Sequence, residues 1–216
     1  MGKLVQKLNR LLPFVAIGTI ADCQSILEKT NRSMVKLGIK MITNGNHGLD
    51  GICALMQETG IWDKITDSGY LFNSQDIGFT LSPILNASGR ITHAQLSINT
   101  LLAGETVEKS AFAISNFAMT GNSTSFARDL IAVNEERKKN VASVVENVQI
   151  QADKQIEMGN RLIWLVGPWN KGLIGLIASK MVNKHNLPTV VISSPSQKEQ
   201  LTEEEILELK TYIFSD

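Results

Sequence analysis

The stretch Arg161–Ser193 reads RLIWLVGPWNKGLIGLIASKMVNKHNLPTVVIS, and its alternation of element types decides the fold class. Arg161 to Val166 is a short apolar run with the length and β-branching of a buried strand. Gly167-Pro168-Trp169-Asn170-Lys171-Gly172 is loop chemistry. Leu173 to His185 has helical spacing, and Thr189 to Ile192 is a second β-branched strand. Strand, loop, helix and strand make a βαβ unit, expected as a right-handed parallel crossover. Gly159-Asn160 breaks the chain just before it, so an α/β domain is expected to start near residue 159.

Upstream, Thr106 to Glu157 is long and helical. Val107, Phe112, Ile114, Phe117 and Met119 run up to Gly121, and a second helix follows from about Ser123 to Met158. Its charged stretch, Asn134-Glu135-Glu136-Arg137-Lys138-Lys139, reads as a solvated face. Earlier, Leu4 to Leu12 is a short helix ended by Pro13, and Phe14 to Ile20 is an apolar run expected as a buried parallel strand. Asn31 to Ile42 and Asp50 to Thr59 are helical, with turn chemistry at Asn44 to Gly48 and Gly60 as a C-cap. Ser74, read as an N-cap, opens a helix with Ile77, Phe79 and Leu81 partly buried. Pro83 breaks it before a loop at Asn86-Ala87-Ser88-Gly89-Arg90.

Three stretches can carry chemistry. Asp22 follows the expected strand, and in open α/β sheets ligands gather at the carboxyl ends of strands. Its carboxylate suits a hard divalent cation, or it serves as a helix cap. One carboxylate alone is not a metal site. In the Asn86–Arg90 segment, Asn86 offers donor and acceptor and Arg90 a planar fork that matches phosphate, against the plainer reading of a surface loop. Gly172 and Gly175 either open a helix N-terminus to an anion or let helix and sheet pack closely. Neither a P-loop nor a GxGxxG fingerprint is present. His47 sits in a turn, His93 lies just past Arg90 where it can face a site, and His185 suits a helix C-terminus. No two histidines stand at metal-pair spacing.

Composition limits the alternatives. With 43% hydrophobic and 19% charged residues, the 216-residue chain can bury a core. Lys+Arg and Asp+Glu both total 21, so there is no basic excess to mark a pure nucleic-acid-binding module. Cys23 and Cys53 lack CxxC spacing and read as buried reduced thiols, not zinc ligands. No apolar run is long enough for a membrane span and no secretory signal is seen, so the expected compartment is the cytoplasm.

Taken together, FVAIGTIADCQSI (14–26), NRSMVKLGIKMI (31–42), DIGFTLSPILNASGRI (76–91), NEERKK (134–139) and the segment from Gly167 to Ser193 resemble, in order and spacing, the DHH phosphoesterase superfamily and within it the RecJ family. The resemblance covers about residues 12 to 193. It implies the C-terminal part of a parallel-sheet phosphoesterase domain (1–104), a helical connector (105–158), the start of an α/β DHH-associated domain (159–196) and an unassigned tail (197–216). It further implies 5′→3′ exonuclease action on single-stranded DNA in repair and recombination, by two-metal hydrolysis with Mn²⁺ or Mg²⁺. On that pattern Asp22 is a catalytic metal ligand, and Asn86 and Arg90 bind substrate, with Arg90 also catalytic. Trp169 is a stacking candidate. Single-strand-binding protein or a repair helicase are the implied partners.

The departures are specific. The family's Asp-rich first motif, its second-motif Asp and its Asp-His-His triplet do not occur in the chain. Ile84 stands where these proteins often carry Arg, Asn170 stands where His is common, and Thr202 to Asp216 matches nothing familiar. The chain alone is therefore expected to be inactive. The alternative is a non-catalytic nucleic-acid or partner-binding module on a DHH scaffold; a less favoured one is a DHH phosphoesterase acting on short oligonucleotides or small phosphodiesters.

Overall fold

A computed structural model describes residues 8–44, 49–103 and 122–194. They fall into two compact units, 1–134 and 135–216, with the boundary inside one helix. The helix expected over Leu4–Leu12 and the one expected over Thr106–Met119 lie partly or wholly outside the described residues, as do His47 and the tail beyond Ser194.

In the first unit the described residues are helical. The run expected as a strand at Phe14–Ile20 is instead part of helix α1, Leu12–Ala21. Helix at Leu8–Asn9 gives way to a turn at Arg10–Leu11, and Pro13 then falls in the first turn of α1, where its missing N–H has no intrahelical partner to lose. Helix α2, Lys29–Thr43, packs along it. A Cβ at Gly38 would overlap the Leu12 carbonyl oxygen and lie 2.6 Å from the Ala16 Cβ, so only glycine allows this approach. Helices α3, Asp50–Glu58, and α4, Ile61–Ser68, follow, hinged at Gly60 with φ of 69°. That left-handed residue after α3 is the expected C-terminal signal.

Next comes a compound helix: α5, Ser74–Asp76, a π-helical turn, Ile77–Leu81, and α6, Ser82–Leu85. Its N-cap is Asn73, one residue earlier than expected, with a capping box closed by Asp76. Pro83 does not break the run. The π turn ends with the Ser82 N–H donating to the Ile77 carbonyl, so Pro83 falls in the first turn of a restarted α-helix. Phe79, expected to be partly buried, is 83% exposed, while Ile77 and Leu81 are fully buried. The expected loop at Asn86–Arg90 is helical too. Asn86 joins α6 to α7, Ala87–Ile91, and α8, Gln95–Leu102, packs beside it. Ile42, Ile52, Leu55, Met56, Ile77, Leu81 and Leu130 form the centre of this unit's core. The parallel sheet expected in this part of the chain has no strand among the described residues.

Helix α9, Ser123–Glu157, carries the unit boundary. Its charge run is solvated at Glu135, Glu136, Lys138 and Lys139 as expected, whereas Asn134 is buried.

The second unit follows the sequence reading closely. Strand β1, Ile163–Gly167, is buried throughout; α10, Ile174–His185, follows; and β2, Thr189–Ser193, pairs parallel to β1 with Ile163 opposite Thr189. Gln155 covers part of the remaining edge of β1. Its side-chain amide donates to the Trp164 carbonyl at 2.8 Å and accepts from the Trp164 N–H at 2.9 Å. One side chain thus supplies the pairing a third strand would give. The chain is a mixed α/β protein with a small parallel sheet. Among the described residues no helix is long and apolar enough to cross a membrane.

Candidate functional site

The end of α1 is shaped by its capping geometry. Asp22 is the C-cap, and Cys23 follows in the left-handed region at φ 53°. The Cys23 N–H donates to the Ile20 carbonyl at 3.1 Å and the Gln24 N–H to that of Thr19 at 2.9 Å, the paired bonds of a Schellman closure. Such positions usually hold glycine, so Cys23 is strained. It is also exposed, contrary to the buried thiol expected; Cys53 is half-buried, and burial together with the nearby Asp50 carboxylate pushes its thiol pKa up.

This closure leaves the Asp22 carboxylate at the negative end of a helix, exposed and with no ion pair or hydrogen bond among the described residues. It stands beside a pocket of about 310 Å³ whose walls come from α1, α6 and α8 and the turn before α8. Asp22 and Asn86 both line it, together with Phe14, Ile17, Gly18, Ser82, Leu85, Ser97, Ile98 and Leu101. Two residues from separate motifs, one singled out as a metal ligand and one as a phosphate contact, therefore share one concavity. The structural context differs from the expected one, since Asp22 ends a helix and not a strand.

Other candidates fall elsewhere. Arg90 is half-buried in the last turn of α7 and does not line the pocket, nor does His93, which is exposed. Ile84, at the position where an Arg would have extended the phosphate clamp, is in the core. Ser88 of the same motif has a structural role. Its hydroxyl lies 2.6 Å from that of Ser97, which donates to the Leu85 carbonyl, so three short segments are tied by one buried network. Sequence reasoning does not single out Ser82 or Ser97. A serine within an apolar helical period carries almost no local signal.

In the second unit, Trp169 is half-buried with its ring against the end of β1: a Cβ at Gly167 would meet the indole at 2.6 Å. The Gly172 N–H is taken by the Asn170 side chain at 2.8 Å. Gly175 is exposed with open space at its Cβ position, so close packing does not explain it. His185 closes α10 as expected and also lies 3.0 Å from the Gln149 amide nitrogen.

Among the described residues no three His, Cys, Asp or Glu side chains gather as a metal site. The pocket supplies one carboxylate, which does not fit a two-metal centre by itself.

No protein-family model matches the chain. It is similar to the single-stranded-DNA-specific exonuclease RecJ of Bacillus subtilis (strain 168), 27% identical over 190 residues, which are 88% of this chain and 21% of that protein. The Haemophilus influenzae RecJ is 28% identical over 87% of this chain and 29% of its own length. The Escherichia coli K12 RecJ is 27% identical over 88% and 30%. Among solved structures, RecJ from Thermus thermophilus in complex with Mn²⁺ matches with a TM-score of 0.63 at 22% identity, over 84% of this chain and 24% of that one. A manganese-bound RecJ exonuclease matches with a TM-score of 0.61 and has 40% of its chain covered. The chain thus spans under a third of the length of these curated relatives.

Proposed function

We propose that this chain is a segment of a RecJ-type exonuclease, an enzyme family member by its residues and incomplete as a catalyst on its own. The reaction proposed for the whole enzyme is hydrolysis of phosphodiester bonds in single-stranded DNA from the 5′ end, with Mn²⁺ or Mg²⁺, in repair and recombination. The observation that carries the reading is the meeting of Asp22 and Asn86 at one pocket. The unpartnered Asp22 carboxylate at a helix C-terminus is electrostatically unfavourable until a cation arrives. In the proposed roles Asp22 holds metal, Asn86 contacts substrate, and Arg90, outside the pocket, meets backbone phosphate and steadies charge at the reacting centre. The described residues do not complete the ligand set of a metal pair.

The domain division proposed for the segment is residues 1–104, 105–158 and 159–196, with 197–216 unassigned. The proposed compartment is the cytoplasm, and single-strand-binding protein or a repair helicase are the proposed protein partners. The second reading, a non-catalytic nucleic-acid or partner-binding module, is favoured by the lone carboxylate in the pocket.

The DNA preceding the Met1 codon distinguishes the two. An in-frame Asp-rich motif and Asp-His-His triplet there are expected on the exonuclease reading. A promoter and ribosome-binding site directly before Met1, with no such motifs, would favour the binding module.

A further inference from the structure

We infer that Gln149, Asp153 and His185 form a site for a divalent transition-metal ion of the nickel or copper type, within the second unit and whatever reaction the whole enzyme performs. Gln149 and Asp153 stand four residues apart on α9, so they share one helix face. His185 is the last residue of α10. Their side-chain atoms converge. Gln149 Nε2 lies 2.7 Å from Asp153 Oδ1 and 3.0 Å from His185 Nε2, and the latter two are 4.0 Å apart. A triangle with these sides is nearly right-angled, and its centre is about 2.0 Å from every corner, a metal–nitrogen or metal–oxygen bond length. An ion there has His185 and Asp153 on opposite sides and Gln149 at about 90° to both, as in tetragonal coordination.

The donor set agrees with that geometry. An amide nitrogen can only donate, so His185 Nε2 accepts from Gln149 and carries a lone pair, the form in which imidazole ligates a metal. The Asp153 carboxylate accepts from the same amide, so lone pairs from two helices already point at one spot. Gln149 Oε1 is buried with no hydrogen-bond partner among the described residues. A half-turn of the amide brings Oε1 to the ion and puts Nε2 in that unpartnered place, so one amide atom is orphaned in either orientation. The His185 side chain is 11% exposed and that of Asp153 50%, which shields the imidazole and leaves the ion a way in past the carboxylate. The negative end of α10 favours a cation beside His185. Imidazole selects nickel and copper over magnesium and calcium, which prefer oxygen alone. The bound ion would tie α9 to α10.

Nickel alone is the probe. It is added to the full chain, free of any purification tag and carrying Cys23→Ser, which removes an exposed competing thiol. One Ni²⁺ per chain is expected to bind and to broaden away the backbone NMR signals of Gln149, Asp153 and His185. The urea midpoint should rise with it, since the ion binds the folded chain. Mg²⁺ should leave the same signals unchanged. Losing a group that merely supports a metal ligand costs about 10–100-fold in affinity. Asp153→Asn and His185→Ala, which remove ligands, should therefore each weaken Ni²⁺ binding at least about tenfold, and Gln149→Leu should weaken it less. Asp153 is half exposed, so Asp153→Asn keeps the fold and decides the matter if His185→Ala does not fold. Absence of one-to-one binding overturns the proposal. So does broadening centred on Asp22, His47 or His93, or an Asp153→Asn chain that binds Ni²⁺ as tightly as its parent.

Discussion

The Gln155 side-chain amide pairs with both backbone groups of Trp164, at 2.8 and 2.9 Å, in the manner of a neighbouring strand. Trp164 is 7% exposed, so water does not readily replace either bond. Gln155→Ala leaves a buried N–H and C=O short of a partner, each costing about 1–3 kcal/mol. We expect a loss of about 2–6 kcal/mol, read by urea denaturation. Hydrogen exchange at the Trp164 amide should accelerate before that of its β1 neighbours.

Gly38→Ala should destabilise the first unit by about 1–3 kcal/mol, the usual cost of forcing a methyl into a packed contact. Helix propensity alone predicts the opposite sign, a gain of about 1 kcal/mol. The overlap with the Leu12 carbonyl oxygen, a backbone atom that cannot swing aside, decides in favour of the clash. The sign of the urea midpoint shift distinguishes the two effects.

Cys23→Gly should stabilise the chain by about 0.5–1 kcal/mol, since the relief of left-handed strain exceeds the entropy glycine adds to the unfolded state. Cys23→Ala keeps the strain and should leave stability nearly unchanged. A larger gain from alanine than from glycine contradicts the strained closure of α1.

The two thiols should react in order. Exposed Cys23 is expected to be labelled by a maleimide before Cys53, whose thiolate is disfavoured by burial and by Asp50. The pH dependence follows from the same shift. A thiol whose folded-state pKa is raised contributes stability that is fully present below the unfolded value and is lost as pH rises through the folded one. Alkaline urea titrations should therefore show a decline that Cys53→Ser reduces.

The second unit is legible in the sequence because each signal is local: short β-branched strands, a Gly-Pro loop and an amphipathic helix between them. Phe14–Ile20 is not, since a short apolar run is equally a buried strand or a buried helix. Pro13 holds the missing information, as a first-turn proline marks a helix start. Pro83 misleads in the other direction: a π turn is a register shift set by packing of Ile77 and Leu81, and nothing local announces it. At the site, Asp22 and Asn86 stand out as individual residues, but the reason for their meeting, a pocket built by α1, α6 and α8, is tertiary. Ser82 and Ser97 become visible only through burial.

On the proposed function, a chain whose described residues offer Asp22 as the one candidate ligand at the pocket does not degrade DNA by itself. The direct test is incubation of the purified chain with 5′-labelled single-stranded DNA and Mn²⁺, beside Asp22→Ala. No metal-dependent release of label is predicted for either protein. Degradation by the wild-type chain that Asp22→Ala abolishes would contradict the account.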